Sequence, residues 1–173
     1  LLAEELMISF RSLLIILSFV SCSSLLAQSG IDFRPISWEE AMQAARAERK
    51  IIFVDAYTSW CGPCKMMDRM TFSNGKVGEK FNEDFVNVKM NMEKGEGPQL
   101  AREYRVSSFP TLLFISHTGE IVYRQIGYKS PDELLSLANI ASEPARNPAL
   151  LALEIKEGNP SKETILNYAK YLW

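Results

Sequence analysis

Cys61 and Cys64 are the two residues of this chain whose type and spacing could do chemistry by themselves. Thiols three positions apart can close on each other as a disulfide and open again, a couple that carries two electrons. The pair directly follows an apolar run, Ile51-Ile52-Phe53-Val54, and opens a stretch of helix formers. A Cys-x-x-Cys placed between a strand and a helix reads as a redox pair. The first turn of a helix has unpaired N–H groups, and its dipole favours negative charge there. A cysteine at that point is stabilised as the thiolate, which is the attacking form. Pro63 lacks an N–H and suits a first helical turn. Cys61 is therefore assigned as the nucleophile that forms a mixed disulfide, and Cys64 as the thiol that resolves it. The competing reading is a purely structural Cys61–Cys64 bridge, but so short a closed loop adds little stability.

The elements that must position this pair follow from the pattern of the chain. Ser37-Trp38-Glu39-Glu40 has the form of a capping box and predicts a helix to about Arg49, with Met42 and Ala45 inward. Residues 51–54 suit a strand buried on both faces. A helix is expected from Lys65 to Met70, with Met66, Met67 and Met70 as core and rim packing. After the break at Ser73-Asn74-Gly75, a short helix is expected from Lys76 to Phe81. Phe85 to Met90 alternates as a strand. Gly97-Pro98 opens a helix to about Tyr104. Thr111 to Ile115 and Ile121 to Gln125 form a strand pair across the turn His117-Thr118-Gly119. Pro131 to Ala141 is an amphipathic helix. Strands alternating with helices and ending in a hairpin indicate an α/β sandwich with a mixed sheet. After a linker at Pro144 to Pro148, two short helices are expected at 149–156 and 161–173, separated by Gly158-Asn159-Pro160. They form a helical extension that reads as cut short.

The bulk numbers bound the rest. The chain has 173 residues, 47% hydrophobic and 23% charged, as for an ordinary globular domain with some extra chain. A net charge of −2 makes no case for nucleic acid or an anionic membrane. Three cysteines are too few for a disulfide scaffold, and with one histidine they argue against a structural zinc site. Neither a metal nor a cofactor is expected. His117 lies in a turn and is not assigned a catalytic role. Near the start, Met7-Ile8-Ser9-Phe10-Arg11 precedes an apolar run from Leu13 to Val20, then Ser24-Leu25-Leu26-Ala27. A basic start, a short apolar core and a small residue are the parts of a secretory signal, expected over 1–27 with cleavage after Ala27. Leu1 to Leu6 does not fit a signal start, so Met7 is one candidate for the true start and a fragmentary record is the other. Phe19-Val20-Ser21-Cys22 loosely matches a lipoprotein signal, which would leave the protein lipid-anchored in the envelope through Cys22. The alternative is a cysteine in a discarded peptide. Either way the chain is placed outside the cytoplasm, where disulfides persist.

The run Trp60-Cys61-Gly62-Pro63-Cys64-Lys65 resembles the active site of the thioredoxin family. Three further features match in order: Phe53-Val54-Asp55, with an acid six residues before Cys61; Lys89-Met90-Asn91-Met92-Glu93; and Phe109-Pro110-Thr111. Gly127 matches a glycine late in that fold. The similarity covers about residues 36–141. Thr71-Phe72-Ser73 and the longer spacing to Pro110 are more similar to the periplasmic C-terminal domain of DsbD and to related secreted members. Tyr57 stands where the family has a tryptophan.

The resemblance implies a thioredoxin fold over 31–143, a central mixed β-sheet flanked by helices; the pattern after Pro144 adds a short C-terminal helical extension over 144–173. The resemblance also implies that a buried Asp55 of raised pKa takes the proton of Cys64 through water, and that Lys89 tunes that acid. An ordinary strand-end carboxylate and a solvated lysine are the plain readings of the same two residues. It implies a cis-proline at Pro110 opposite the redox disulfide Cys61–Cys64. Trp60, Gly62, Pro63, Phe109, Pro110 and Gly127 would line the substrate side. The implied activity is reduction of protein disulfides in the bacterial periplasm, because Gly62-Pro63 is the pairing of reducing members. A DsbD-like membrane thiol reductase is the implied electron donor. Disulfide oxidase or isomerase activity is the first alternative. A docking module acting through the helical extension is the second.

Overall fold

A computed structural model describes residues 30–143, 147–158 and 160–172. The expected leader over 1–27, with Cys22, lies outside the described residues, as do residues 144–146 of the expected linker, Asn159 and Trp173. Eleven elements follow in chain order: α1 (Trp38–Glu48), β1 (Ile51–Tyr57), α2 (Gly62–Met70), α3 (Gly75–Asp84), β2 (Phe85–Asn91), α4 (Gly97–Glu103), β3 (Thr111–Ile115), β4 (Ile121–Ile126), α5 (Pro131–Ser142), α6 (Pro148–Lys156) and α7 (Lys162–Leu172). The four strands form one mixed sheet in the order β2-β1-β3-β4. β1 runs parallel to β2 and antiparallel to β3, and β3 is antiparallel to β4.

The two-residue period of the strands divides the core into two layers. On β1, Ile52, Val54 and Ala56 face one side, where α1 supplies Ala41, Met42 and Ala45 and α4 supplies Leu100. Phe53 faces the other side, with Met67 of α2, Val77 and Phe81 of α3, and Leu134, Leu137 and Ala138 of α5. This second layer is aromatic. The Phe53 ring meets Phe81 at 4.7 Å, Phe114 at 5.1 Å and Phe72 at 6.2 Å between centroids. Tilted and edge-on aromatic pairs of this kind are each worth about 0.5–1.5 kcal/mol beyond their burial. Asp55, two residues along the strand, points into the same aromatic side.

Local chemistry sets where the elements begin. Ser37 caps α1: its Oγ accepts the Glu40 N–H at 3.2 Å and the Glu40 carboxylate accepts the Ser37 N–H at 2.8 Å. Ser130 and Glu133 repeat the device at α5. Asn74 caps α3 through its side-chain oxygen. At the turn into α4, a Cβ on Gly97 would lie 1.8 Å from the Asn91 carbonyl oxygen, so only glycine lets the chain fold back onto β2.

The structure moves some expected boundaries. β1 continues through Asp55 to Tyr57, three residues past the apolar run. Asp55 is thus an interior strand residue, not a strand-end carboxylate. The expected core and rim role of three methionines holds fully only for Met67, which is buried, whereas Met66 and Met70 are 47% and 62% exposed. Met66 and Met70 are one helical turn apart on the outer face of α2, and Cys64 and Met67 share the inner one. Beyond the sandwich, α6 rests on β4: Leu150 joins the aromatic layer, and the Asn147 side-chain amide donates to the Val122 carbonyl at 3.2 Å. The α6 end is tied to the β3–β4 turn by His117–Glu157 at 2.7 Å and Lys156–Glu120 at 2.6 Å. Among the described residues no helix is long and apolar enough to cross a membrane.

Candidate active site

Strand β1 delivers the chain to the mouth of α2, and the two cysteines sit where the strand gives way to the helix. Cys61 is the N-cap of α2, with extended backbone at φ −68° and ψ 108°. Its Sγ accepts the N–H of Cys64 at 3.1 Å. The sulfur therefore takes the place that a serine or aspartate oxygen usually takes at a helix start. The backbone N–H and the positive end of the helix both favour negative charge on that atom. Cys61 and Cys64 are joined as a disulfide, with sulfurs 2.08 Å and Cα atoms 5.3 Å apart. Both are buried, while Trp60, Gly62 and Pro63 around them are exposed.

The rim is an apolar platform with two fixed points. Trp60 is 66% exposed, and its indole N–H donates to the Glu93 carboxylate at 3.0 Å and 3.1 Å. The Trp60 ring stands edge-on to Phe109 at 6.0 Å. The Phe109–Pro110 peptide is cis. Gly127 lies beside it: its N–H donates to the Pro110 carbonyl at 2.8 Å, and its φ of +87° is a conformation that favours glycine. The structure thus brings Trp60 and Phe109 together, and Pro110 and Gly127 together.

Beneath the sheet surface lies a second cluster. Asp55 is completely buried, and neither carboxylate oxygen has a hydrogen-bond partner. It is paired in register with Lys89 of β2, so their side chains share a face. The Lys89 ammonium stands 3.2 Å from Asp55 Oδ2, close enough for an ion pair but not aligned as a hydrogen bond. It also contacts the half-exposed Asp68 of α2 directly. Burial pushes the Asp55 carboxyl up from its ordinary 3.8 to about 6; the Lys89 charge pulls it down and the Asp68 charge pushes it up. Burial alone would lower Lys89, but the two carboxylates outweigh it and hold its pKa above the ordinary value. The ammonium also lies over three rings, 4.8 Å from the centroid of Tyr57, 5.5 Å from Phe72 and 5.7 Å from Phe33. Sheltered cation–π contacts of this kind are worth about 0.5–2 kcal/mol.

Sequence reasoning missed Asp68, Phe33 and the hold of Glu93 on Trp60. Asp68 had a local signal, since it lies one helical turn beyond Cys64. Phe33 had none, because it reaches Lys89 only through the tertiary fold. Among the described residues no cluster of three or more His, Cys, Asp or Glu side chains could hold a metal ion.

Comparison with known proteins gives this geometry a family setting. A family model described as a thioredoxin-like domain matches residues 38–141. The chain is 33% identical over 98 residues to thioredoxin H2 of Arabidopsis thaliana, covering 56% of this chain and 67% of that protein. It is 29% identical over 100 residues to the thiol:disulfide interchange protein DsbD of Campylobacter jejuni, covering 57% of this chain but only 18% of that longer protein. Among solved structures, one from Bacteroides thetaiotaomicron, provisionally described as a disulphide-isomerase, is 47% identical with a TM-score of 0.60. That match covers 66% of this chain and 95% of the other.

Proposed function

Since the chain belongs to the thioredoxin-like family of thiol–disulfide oxidoreductases, we propose that it reduces protein disulfides outside the cytoplasm, with Cys61 attacking and Cys64 resolving. The observation that carries this reading is the Cys61 Sγ at the N-cap of α2, facing the Cys64 N–H. In the reduced protein, the Cys61 thiolate attacks one sulfur of a client disulfide. A Cys61–client disulfide forms and one client thiolate leaves. The Cys64 thiol passes its proton through water to the Asp55 carboxylate, and the Cys64 thiolate attacks Cys61 Sγ. The Cys61–Cys64 disulfide closes, and the second client thiolate departs and takes up a proton. Two electrons have moved from the dithiol to the client.

Further residues fall into place around that step. The cis Phe109–Pro110 segment and Gly127 form the ledge on which a client backbone lies, in the manner of an added strand. Trp60, Gly62 and Pro63 form the apolar rim it crosses. Lys89 stabilises the charge that Asp55 carries until it takes the Cys64 proton. The catalytic unit is 31–143, and 144–173 is an appended helical pair.

The extracytoplasmic setting is supported by the leader pattern over 1–27 and by the likeness to DsbD. In an oxidising compartment the disulfide must be reopened by a reductant, and a membrane thiol reductase of the DsbD class is the proposed donor. Isomerase activity is the second reading, favoured by the description of the Bacteroides structure. The two differ in redox poise. Equilibration of Cys61–Cys64 with glutathione buffers is expected to give a potential near that of reducing thioredoxins, about −270 mV. A value near about −180 mV, as for isomerases, or higher would defeat the reductase reading.

A further inference from the structure

The segment ahead of α1, residues 30–37, has no regular structure, yet it is pinned along its length. The Ile31 N–H donates to the Phe72 carbonyl at 2.7 Å and the Arg34 N–H to the Asn87 carbonyl at 2.9 Å. The Asp32 N–H donates to the Asn82 side chain at 2.8 Å, which in turn donates to the Gly30 carbonyl at 3.3 Å. The Arg34 guanidinium grips both oxygens of Glu48 at 2.5 Å and 3.0 Å. A Cβ on Gly30 would lie 2.0 Å from the Phe72 carbonyl oxygen, so the strap lies flat against the end of α2. These pins fall on both sides of Phe33 and fix where its ring goes. That ring stands edge-on to Phe72 at 5.2 Å, lies 6.1 Å from Phe53, and is 5.7 Å from the Lys89 ammonium. Phe72 is buried, whereas Phe33 is only half-buried. Phe33 is thus an outer wall of the slot in which Lys89 meets Asp55.

We propose that Phe33 is a positioning residue for thiol–disulfide exchange, with the strap over residues 30–37 acting as the cover that keeps bulk water from the buried Asp55 carboxylate where the partly exposed Lys89 meets it. The proposal rests on the reading of Asp55 as the proton acceptor for Cys64. A strap pinned at four places needs a reason for carrying an aromatic ring to a lysine already held by two carboxylates. The reason is dielectric: burial is the largest influence on the Asp55 carboxylate, ahead of the Lys89 ammonium 3.2 Å away, so its proton affinity depends most on how completely its surroundings exclude bulk water. The charged groups acting on it are Lys89 from β2 and Asp68 from α2. Lys89 stays tethered through Asp68 when Phe33 is cut back, so the loss of cover is the larger change. Opening the slot then lowers the affinity of Asp55 for its proton.

The test compares Phe33→Ala and Phe33→Leu with the wild type, full chain, in the oxidised form. Carbon-detected NMR of the Asp55 carboxyl in this form follows its titration directly, and the pH profile of mixed-disulfide resolution is measured alongside, starting from the reduced protein and a disulfide-bonded client. The Asp55 midpoint is expected to fall by about half a pH unit or more in Phe33→Ala and by less in Phe33→Leu. The resolution profile should move with it. An unmoved or raised Asp55 midpoint in every variant that folds, with lowered stability as the only effect, overturns the proposal and leaves Phe33 a packing residue. Phe33→Leu preserves most of the apolar volume and decides the matter if Phe33→Ala does not fold. Failure of the proton-acceptor reading would look different: in the wild type itself, the resolution profile would not follow the Asp55 carboxyl.

Discussion

A Cys61→Ser variant is expected to lose reduction of client disulfides entirely, while Cys64→Ser retains the first half of the reaction and accumulates clients as mixed disulfides. The difference follows from the two positions. Cys61 Sγ is the helix-capping atom and receives a backbone N–H, so it is the sulfur on which negative charge is stabilised. Serine there cannot supply a thiolate, and no other described cysteine can substitute for it. Without Cys64 the attack still proceeds, but no thiol stands by to displace the client. Non-reducing electrophoresis of each variant with a disulfide-bonded client reads both outcomes. Client adducts on Cys61→Ser rather than on Cys64→Ser would reverse the assignment. Client association that survives in a Cys61→Ser, Cys64→Ser double variant, with no adduct on either single one, would favour a docking module.

Replacing Asp55 with asparagine should stabilise the oxidised protein at neutral pH and slow it as a catalyst. The carboxyl is raised to about 6, first by burial, with Lys89 only partly opposing. A group whose pKa is raised on folding binds protons more tightly in the folded state. Its favourable contribution is complete below about pH 4 and is lost as pH rises through about 6. At about 1.4 kcal/mol per pKa unit, the charged carboxylate costs roughly 2–3 kcal/mol at pH 7. Asparagine removes most of that cost but leaves a buried amide to satisfy, so a gain of about 2 kcal/mol is expected at pH 7. No gain is expected at pH 4. Urea denaturation of both proteins at the two pH values reads the difference. An equal effect at both would mean that Asp55 is not charged in the folded protein at pH 7. General acid–base catalysis typically contributes about 10²–10⁴-fold, and the resolution step in Asp55→Asn should slow within that range. Phe33→Ala, by contrast, should move the pH at which the step occurs while keeping the carboxylate.

Much of this was legible in the sequence, and the exceptions have physical reasons. The β1 run Ile51 to Val54 announced a buried strand because every residue in it is apolar. The strand's last three residues are hidden because Asp55 breaks the apolar pattern, and a carboxylate is rarely buried inside a central strand. The Ser37-to-Glu40 spacing marks the cap of α1, and Ser130-Pro131-Asp132-Glu133 carries the same spacing in plain view at α5. The three methionines of α2 gave a helical period without saying which side was inward. Their division follows the disulfide, because the helix buries the face that carries Cys64 and Met67. The site itself divides in the same way. The Cys61–Cys64 pair is contiguous in sequence and was legible from spacing. The Asp55–Lys89 contact arises from parallel pairing of β1 with β2, and only the family resemblance pointed to it. The Phe33 cover arises from a strap without regular structure, for which no periodicity exists to be read.

The feature on which everything else depends is the inequality of the two thiols. Limited alkylation of the fully reduced protein at neutral pH, with the modified cysteine identified by mass spectrometry, tests it most directly. Cys61 is expected to be modified at least about tenfold faster than Cys64, because its sulfur alone occupies the helix-capping position beside the exposed Trp60, Gly62 and Pro63. Equal modification of the two, or faster modification of Cys64, would contradict it.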